Sequence, residues 1–347
     1  MHTQICSIGR SLTKLFAAGL LLWNSVDSRA QSVKDYLATT TGGYSGVAVA
    51  SDGAVWYAEY DLGLIGIYKG GKSLIPIDTP TLDSGPESMT IGPDGNIWFV
   101  EGKVQNIARI NPDRTISETA APCAINSSLY AGTDALWFAE KCSTFEELVK
   151  VSTGGAMSRY IVASGKPFPD IYGIVQTADG KVWFTESARS MIGRIDPVAL
   201  TIAEYPTQTD FSHPTALVIG PDGDLWFEEY AAKKIAHVDL ATIDSVKKVT
   251  DEIAWPDTDM PIAMMVGADH RFWAVDGLKR VWQFTVDHGA VSRRQAPSKS
   301  TPLSYAMMTG APDGDIWFVE GSSGANSALG LIRMDGVFTD DMEVTVP

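Results

Sequence analysis

The chain has 347 residues, 45% of them hydrophobic and 20% charged, which is enough apolar material for a full core and excludes an intrinsically disordered protein. The 27 Lys and Arg against 42 Asp and Glu give a formal net charge of −15. A field of this sign repels the phosphate backbone, so it disfavours nucleic-acid binding and favours neutral or cationic small molecules, or metal ions, as partners.

Residues 1–30 have the pattern of a secretory signal peptide. Arg10 and Lys14 supply its positive charge, and residues 15–23 (LFAAGLLLW) form an apolar run too short to span a bilayer as a stable helix. Small residues just ahead of position 31 predict cleavage there, and the alternative is a buried N-terminal helix. Cleavage would leave residues 31–347 as a soluble, secreted or periplasmic protein with no further segment able to span a membrane.

Three cysteines occur in the chain, and Cys6 would leave with the signal peptide. Cys123 and Cys142 then remain as a pair in an oxidising compartment, where disulfides form and persist. We therefore predict a disulfide between these two residues, with two free buried thiols as the alternative.

One sequence phrase recurs seven times: Asp-Gly, a variable residue, a hydrophobic residue, Trp, an aromatic residue, a variable residue and an acid. Its copies occupy residues 51–59, 92–101, 133–140, 178–186, 220–229, 268–276 and 312–320. Each unit divides into four short strands with period-two alternation, and the Asp-Gly turn separates the first two. Four strands in a unit of about 45 residues are typical of a propeller blade. We predict an all-β protein, a seven-bladed β-propeller with four antiparallel strands per blade, as a single domain over residues 31–347.

Closure of the ring has two candidate strands. Residues 32–37 (SVKDYL) resemble the fourth strand of a blade but precede the first unit, so they would complete the seventh blade and remove an open sheet edge. Our fold prediction uses this N-terminal strand, and the C-terminal tail, residues 342–347, is the alternative.

The blade pattern also has a family resemblance. The pattern begins with Gly-Pro-Asp-Gly, a variable residue and Leu or Ile, continues with Trp-Phe, and ends with a variable residue and Glu. Ile-Gly-Arg-Ile follows it, and residues 178–197 and 92–101 match it best. This pattern resembles the blades of the virginiamycin B lyase (streptogramin lyase) family over essentially all of residues 32–335. The resemblance implies opening of a cyclic depsipeptide ester by elimination, with bound Mg²⁺ and a His base in a Pro-His-Gly/Ala-Ile segment that begins an innermost strand.

The position that should hold this His can be located in each unit, fourteen residues before the terminal acid. It is occupied in chain order by Ser45, Glu87, Asn126 or Ser127, Tyr172, Thr215, Ile262 and Ala306. Because none of these is His, the mechanism that the resemblance implies lacks its base at this position.

Each unit ends on an acidic residue, and a closed propeller would place these acids equivalently. They are Glu59, Glu101, Glu140, Glu186, Glu229, Asp276 and Glu320. We predict an acidic ring at one mouth of the central channel, able to hold a divalent cation such as Mg²⁺ or Ca²⁺. The alternative is a local role, in which each acid accepts hydrogen bonds from the backbone of the adjacent blade.

Two blades contain further candidates for chemistry. In blade 4 we predict Asp170 and Glu186 as oxygen ligands for Mg²⁺ or Ca²⁺, with Tyr172 beside them. Tyr172 would act as a base only next to a cation, and otherwise it would stack on a ligand. In blade 5 His213 lies two residues before the expected His position, and Glu229 ends the same unit. We predict His213, Glu229 and Tyr172 as catalytic residues, with a solvated loop imidazole as the alternative for His213.

Two functions remain open from the sequence. The first is an exported, metal-assisted lyase or hydrolase of cyclic esters or lactones. The second is a non-catalytic propeller that binds a small molecule, a glycan or a protein partner. The sequence has no nucleophile elbow and no His-Glu-x-x-His motif. We therefore expect no nucleotide or organic cofactor, and a monomer.

Overall fold

A computed structural model describes residues 33–39, 43–164, 168–249, 251–256, 260–276, 280–287, 290–295, 305–321 and 327–333. The predicted signal peptide and the C-terminal tail at residues 342–347 lie outside these segments. No helix in the segments is long and apolar enough to cross a bilayer.

The described strands form seven antiparallel sheets, one per sequence unit, which confirms the seven-bladed propeller. Blade 1 contains β2 (Tyr44–Val49), β3 (Val55–Glu59), β4 (Leu64–Lys69), β5 (Lys72–Ser73) and β6 (Ile77–Asp78). Blade 2 contains β7 (Pro86–Ile91), β8 (Ile97–Glu101), β9 (Asn106–Ile110) and β10 (Ile116–Ala120). Blade 3 contains β11 (Ala124–Ile125), β12 (Tyr130–Ala131), β13 (Ala135–Lys141), β14 (Phe145–Ser152) and β15 (Met157–Ser164). Blades 4 and 5 contain β16 (Ile171–Gln176), β17 (Val182–Glu186), β18 (Met191–Asp196), β19 (Thr201–Pro206); and β20 (Pro214–Ile219), β21 (Leu225–Glu229), β22 (Lys234–Val238), β23 (Asp251–Ala254). Blade 6 contains β24 (Pro261–Val266), β25 (Phe272–Asp276), β26 (Val281–Asp287) and β27 (Ala290–Gln295). Blade 7 contains β28 (Tyr305–Gly310), β29 (Ile316–Gly321) and β30 (Ser327–Ile332), and β1 (Val33–Thr39) is its outer strand. The helices of the described part are a 3₁₀ turn (Ser187–Arg189) and α1 (Ile243–Val246).

The N-terminal strand closes the ring. β1 pairs antiparallel with β30, so that Val33 lies opposite Ile332 and Thr39 lies opposite Ser327. This pairing completes the sheet of blade 7 and confirms the closure that our fold prediction used. A closed ring leaves no open edge between the first and the last blade.

The first strand of each blade lies nearest the central axis, where β20 contacts β16 and β24 and where β2 contacts β7 and β28. The first and second strands of a blade are antiparallel, so the start of the first strand lies beside the end of the second. In blade 5, for example, Pro214 lies opposite Glu229. The start of the first strand and the acid of every unit are therefore at one face of the propeller. The Asp-Gly turns are at the other face.

The core is divided between the blades. The described core residues form seven clusters, and each cluster combines residues of two neighbouring blades, including blades 1 and 7. Trp183 and Phe227 meet between blades 4 and 5, and Trp273 and Phe318 meet between blades 6 and 7. Because side chains alternate along a strand, Trp and the aromatic residue after it face opposite neighbours. In the six units that have it, the Trp-aromatic pair thus links the blade to both of its neighbours, and in blade 6 Ala274 takes the place of the second aromatic residue.

The glycine of the Ile-Gly-Arg-Ile phrase has a steric reason. A Cβ at Gly193 would lie 2.2 Å from the ring of Phe184, and a Cβ at Gly66 would lie 2.1 Å from the ring of Tyr57. In both blades the aromatic ring of the second strand covers the glycine of the third strand. Only a residue without a side chain permits this close approach.

Candidate functional site

The innermost strands of blades 3 to 7 enclose a cavity of about 570 Å³ at the face where these strands begin. Most of its wall is apolar, with Leu217, Met264, Met307 and Met308 among the lining residues. None of the described residues that line the cavity carries a charge. The volume and the lining are typical of a site for a neutral small molecule.

The position at which the family resemblance predicts a His lies on this cavity wall. Tyr172, Thr215 and Ile262 occupy it in blades 4, 5 and 6, and all three line the cavity. In each of these blades the pairing of the first two strands shifts at this residue. Such a β-bulge changes the direction in which a side chain points. The sequence spacing therefore located the wall correctly, and the three residues on it are a phenol, a hydroxyl and an aliphatic chain.

Two tyrosines form part of the cavity rim. The side chains of Tyr172 and Tyr230 are each 52% exposed, although both contact the cavity. A half-exposed phenol offers an aromatic face for stacking and a hydroxyl for hydrogen bonding. Lys141 is close enough to Tyr172 to interact with it electrostatically.

Two predicted site residues have strained backbone conformations at the same face. Asp170 and His213 each come directly before the first strand of their blade, with φ values of 52° and 51°. Their carbonyl oxygens accept hydrogen bonds from the backbone N–H groups of Ser187 and Tyr230, both at 3.1 Å. Gly85 has the same position in blade 2, with a φ of 64°. A positive φ favours glycine, so Asp170 and His213 adopt this conformation at a cost in free energy.

His213 is exposed and its nearest polar partner is a hydroxyl group. Its Nδ1 lies 3.5 Å from Oγ of Ser187, which belongs to blade 4. Glu229, its predicted catalytic partner, is fully buried. Burial, with the nearby negative charge of Glu252, raises the pKa of Glu229 to about 7. The structure therefore brings His213 together with Ser187, while the Glu229 carboxyl lies inside the blade.

The two predicted metal ligands of blade 4 each have a cation of their own. The Asp170 carboxylate accepts a hydrogen bond from Nζ of Lys141. The Glu186 carboxylate is fully buried and accepts a hydrogen bond of 3.2 Å from Arg189. Among the described residues, neither belongs to a group of three metal-binding side chains. This arrangement does not fit a Mg²⁺ or Ca²⁺ site, because the positive charge that such an ion would supply is already present.

The predicted acidic ring needs a correction of its position. The side chains of six of the acids are buried, and none of the six lines the cavity; they are Glu59, Glu101, Glu140, Glu186, Glu229 and Asp276. The side chain of Glu320 lies outside the described residues.

Several of these acids have polar partners within their own blade. Glu101 accepts a hydrogen bond of 2.9 Å from Asn106, and Asp276 accepts one of 2.6 Å from Arg280. Burial raises the pKa values of Glu140 and Glu186 to about 7. The acids differ from the expectation because they lie on the inter-blade side of the strand. In every unit but the sixth they share this side with the aromatic residue two positions earlier.

A carboxyl group that the sequence analysis missed lies directly behind the cavity wall. Glu228 is fully buried, and Oγ1 of Thr215 donates a hydrogen bond of 3.2 Å to its Oε2. Its Oε1 has no hydrogen-bond partner among the described residues. Burial raises the pKa of Glu228 to about 8, and the hydrogen bond from Thr215 opposes this shift.

The repeats contain a signal for Glu228. The equivalent variable position of the other six units holds only small or apolar residues: Ala58, Val100, Ala139, Thr185, Val275 and Val319. An acid at an otherwise apolar position of a buried strand is a marker of function, since burying an unpaired carboxyl is costly.

The predicted disulfide is present in blade 3. Cys123 and Cys142 are bonded, with their Cα atoms 5.0 Å apart. The bond ties the residue before β11 to the residue after β13, and these two strands pair at Ala124 and Lys141.

Comparisons with known proteins agree with this architecture. The model of the virginiamycin B lyase family matches residues 25–274 and 170–343. Among solved structures, a streptogramin B lyase is 22% identical with a TM-score of 0.71, over 88% of this chain and 98% of that one. A catalytically inactive His-to-Ala variant of virginiamycin B lyase from Staphylococcus aureus with quinupristin is 24% identical with a TM-score of 0.69, over 87% and 99%.

A more distant structural match is a gluconolactonase from Xanthomonas campestris, 14% identical with a TM-score of 0.51, over 88% of this chain and 90% of that one. No curated protein matches the chain. At these identities the solved structures show the shared fold, whereas the family model spans nearly the whole propeller. The chain belongs to the virginiamycin B lyase family.

Proposed function

We propose that this protein binds a neutral, largely apolar cyclic ester in the cavity at the start of its innermost strands. The observation that carries the proposal is the uncharged cavity of about 570 Å³ with Leu, Ile and Met walls. Burial of apolar ligand surface there contributes roughly 25 cal/mol per Å². The three methionines adapt to ligands of irregular shape.

Polar groups of the cavity match an ester better than a charged ligand. The Thr215 hydroxyl and the phenols of Tyr172 and Tyr230 are the groups that can orient a carbonyl oxygen or stack on a ring. A carboxylate or ammonium ligand would lose its hydration without gaining an opposite charge on the wall. The family's activity on cyclic depsipeptides and the gluconolactonase among the structural matches both support an ester-containing ring as the ligand class.

The binding proposal is tested by calorimetric titration of residues 31–347 with a panel of cyclic depsipeptides and lactones, and with their ring-opened acids. We expect the closed, neutral rings to bind and the acids to bind at least tenfold more weakly. Met308→Lys should abolish binding because it places a charge on the cavity wall, and Met308→Leu is the volume-matched control. Equal binding of rings and acids, or no effect of Met308→Lys on binding, would show that the ligand does not bind in this cavity.

A second candidate function is cleavage of a C–O bond in the bound ring, by elimination or hydrolysis. The observation that favours it is Glu228, a buried carboxyl that holds its proton near neutral pH and touches the cavity wall through Thr215. In an elimination, a base takes a proton from carbon, a C=C bond forms, and the ester C–O bond breaks with loss of a carboxylate. His213 beside Ser187 is the candidate base, Tyr172 is the candidate stacking group, and Glu228 is the candidate acid, which acts through the hydroxyl of Thr215.

No step of this proposal uses a metal ion, since Asp170 and Glu186 do not fit one. Ring opening is assayed by mass spectrometry for the wild type, His213→Ala and Glu228→Gln. We expect both variants to lose turnover by at least tenfold while ring binding stays within error and neither variant melts below the wild type. Turnover that survives both changes would show that other residues carry the reaction. Absence of turnover in the wild type would leave binding alone as the function.

We also infer export of the mature chain from the cell interior. The support is the charged and apolar pattern of residues 1–30 together with the Cys123–Cys142 disulfide, which is typical of oxidising compartments. Mass spectrometry of the N-terminus of protein from culture supernatant and periplasm should find Gln31 as the first residue.

A further inference from the structure

We propose that Asp222, Asp224 and His237 form a binding site for a divalent transition-metal ion, best suited to Zn²⁺, at the face of the propeller opposite the cavity. Asp222 and Asp224 lie at the turn between β20 and β21, and His237 lies on β22. The repeat pattern and the family resemblance give none of these three residues a role.

The donor atoms already have the spacing of a metal site. Nε2 of His237 lies 3.2 Å from Oδ2 of Asp224 and 3.8 Å from Oδ2 of Asp222. One donor atom from each of the three side chains lies within 4.8 Å of the others. Two ligands that are each about 2.0–2.1 Å from a tetrahedral zinc lie about 3.3 Å from one another. The observed separations require only small side-chain rotations for an ion to fit between the three groups.

The remaining polar atoms of the three side chains are held in place by neighbours. Nδ1 of His237 lies 3.3 Å from Oδ2 of Asp251, the arrangement in which a carboxylate fixes the tautomer of a metal-binding imidazole. Oδ1 of Asp224 accepts a hydrogen bond of 3.0 Å from the backbone N–H of Leu240, which leaves Oδ2 for an ion. The Asp222 carboxylate accepts hydrogen bonds from Nε1 of Trp226 at 3.0 and 3.1 Å. The site is therefore pre-organised beyond its three ligands.

The other blades provide an internal comparison. His237 pairs with Trp226 across β21 and β22, and the equivalent partners of Trp98, Trp137 and Trp183 are Arg109, Lys150 and Arg194. In those blades a permanent cation lies over the Trp ring. Arg and protonated Lys cannot bind a metal ion, whereas imidazole can.

Few blades have a second acid in this turn, at the position of Asp224. The position of Asp224 is occupied by Asn96 in blade 2, Lys181 in blade 4 and Arg271 in blade 6. Blade 7 has Asp315 there, but Leu331 replaces the imidazole. Among the seven units, only blade 5 combines two turn acids with a His opposite the Trp.

The donor set selects the type of ion. Three carboxylates around one imidazole give the cluster a negative charge that attracts cations, as the net charge of −15 does for the whole chain. An imidazole nitrogen is a good ligand for Zn²⁺, whereas Mg²⁺ and Ca²⁺ select oxygen. An ion here would connect the turn and β22, and through Asp251 also β23, so it would clamp three parts of blade 5.

The test uses the untagged mature chain after dialysis against a chelator, with Zn²⁺ alone as the probe. We expect calorimetry to find about one Zn²⁺ per chain, with a rise in melting temperature, because an ion that binds only the folded state stabilises it. His237→Arg should abolish binding while retaining a cation over Trp226, as in blades 2 and 4. Asp251→Asn, which changes only the support of His237, should weaken binding roughly 10- to 100-fold.

A matched control keeps the result specific. His270→Asn removes an exposed imidazole from the equivalent turn of blade 6 and should leave Zn²⁺ binding unchanged. Circular dichroism verifies that each variant is folded. Absence of stoichiometric binding in the wild type, or equal binding by His237→Arg, would overturn the proposal and assign His237 to a structural ion pair.

Discussion

Oγ1 of Thr215 donates a hydrogen bond of 3.2 Å to Oε2 of Glu228, and this bond connects a hydroxyl on the cavity wall to a fully buried carboxyl. A ligand that hydrogen-bonds to Thr215 would therefore change how tightly Glu228 holds its proton.

The first prediction concerns the pH dependence of stability at Glu228. Burial raises its pKa from 4.5 in the unfolded chain to about 8 in the folded protein. The folded state therefore keeps a proton that the unfolded state releases. The stabilising effect is complete below about pH 4.5 and is lost as the pH rises towards 8, by at most about 1.4 kcal/mol per pH unit. Glu228→Gln should remove this part of the slope.

The measurement for Glu228 is a series of urea unfolding curves from pH 5 to pH 9 for both proteins. The variant should gain stability relative to the wild type as the pH rises. Glu140, Glu186 and Glu229 also have raised pKa values, and they contribute equally to both proteins, so only the difference is read. Parallel curves would contradict the raised pKa.

The second prediction concerns the strained backbone of His213. His213→Gly should raise stability by about 1 kcal/mol, because glycine adopts the positive φ of 51° without strain. His213→Ala retains the strain and should not stabilise. Thermal unfolding of the two variants separates the backbone effect from loss of the imidazole. If the glycine variant melts no higher than the alanine variant, the conformation is not strained.

The third prediction concerns the glycine of the third strand. Gly193→Ala places a methyl group 2.2 Å from the Phe184 ring, so the ring or the strand must move. Overpacking of this kind costs about 1–3 kcal/mol. Gly154→Ala is the control, since the nearest atom to its Cβ is 3.8 Å away. Chemical denaturation should show a loss for Gly193→Ala alone, and similar losses for both would point to a general glycine effect.

The fourth prediction concerns the disulfide of blade 3. Its cysteines are 19 positions apart, and a loop of this length contributes about 3 kcal/mol by restricting the unfolded chain. The double variant Cys123→Ser, Cys142→Ser should lose about this amount in urea denaturation. Thiol titration of the unfolded, unreduced mature chain should find no free thiol, and two titratable thiols would show that the bond does not form.

Much of the fold could be predicted from the sequence because its pattern is local. The Trp-aromatic pair, the Asp-Gly turn and the period of about 45 residues define a blade within one unit. The cavity wall at Tyr172 and Thr215 could also be located, since strand pairing keeps a constant spacing from the terminal acid.

The site residues depended on contacts that the repeat does not encode. The terminal acids looked equivalent and exposed, but Glu101 and Asp276 are buried beside partners that differ from blade to blade. The partners of His237 are distant from it in sequence. Asp222 lies 15 positions before it and Asp251 lies 14 positions after it, and both reach it only through strand pairing. A cluster of this kind needs the register of four strands.

The pairing of Val33 with Ile332 has a consequence for biosynthesis. Among the described strands, β1 leaves the ribosome first but belongs to the sheet of blade 7, so it must wait for β30 before it can pair. Until then, the first and last blades each have an uncovered side, and the growing chain is open to contacts with other chains. Conditions or helper proteins that protect β1 during synthesis should therefore increase the yield of native protein more than those that protect an interior blade.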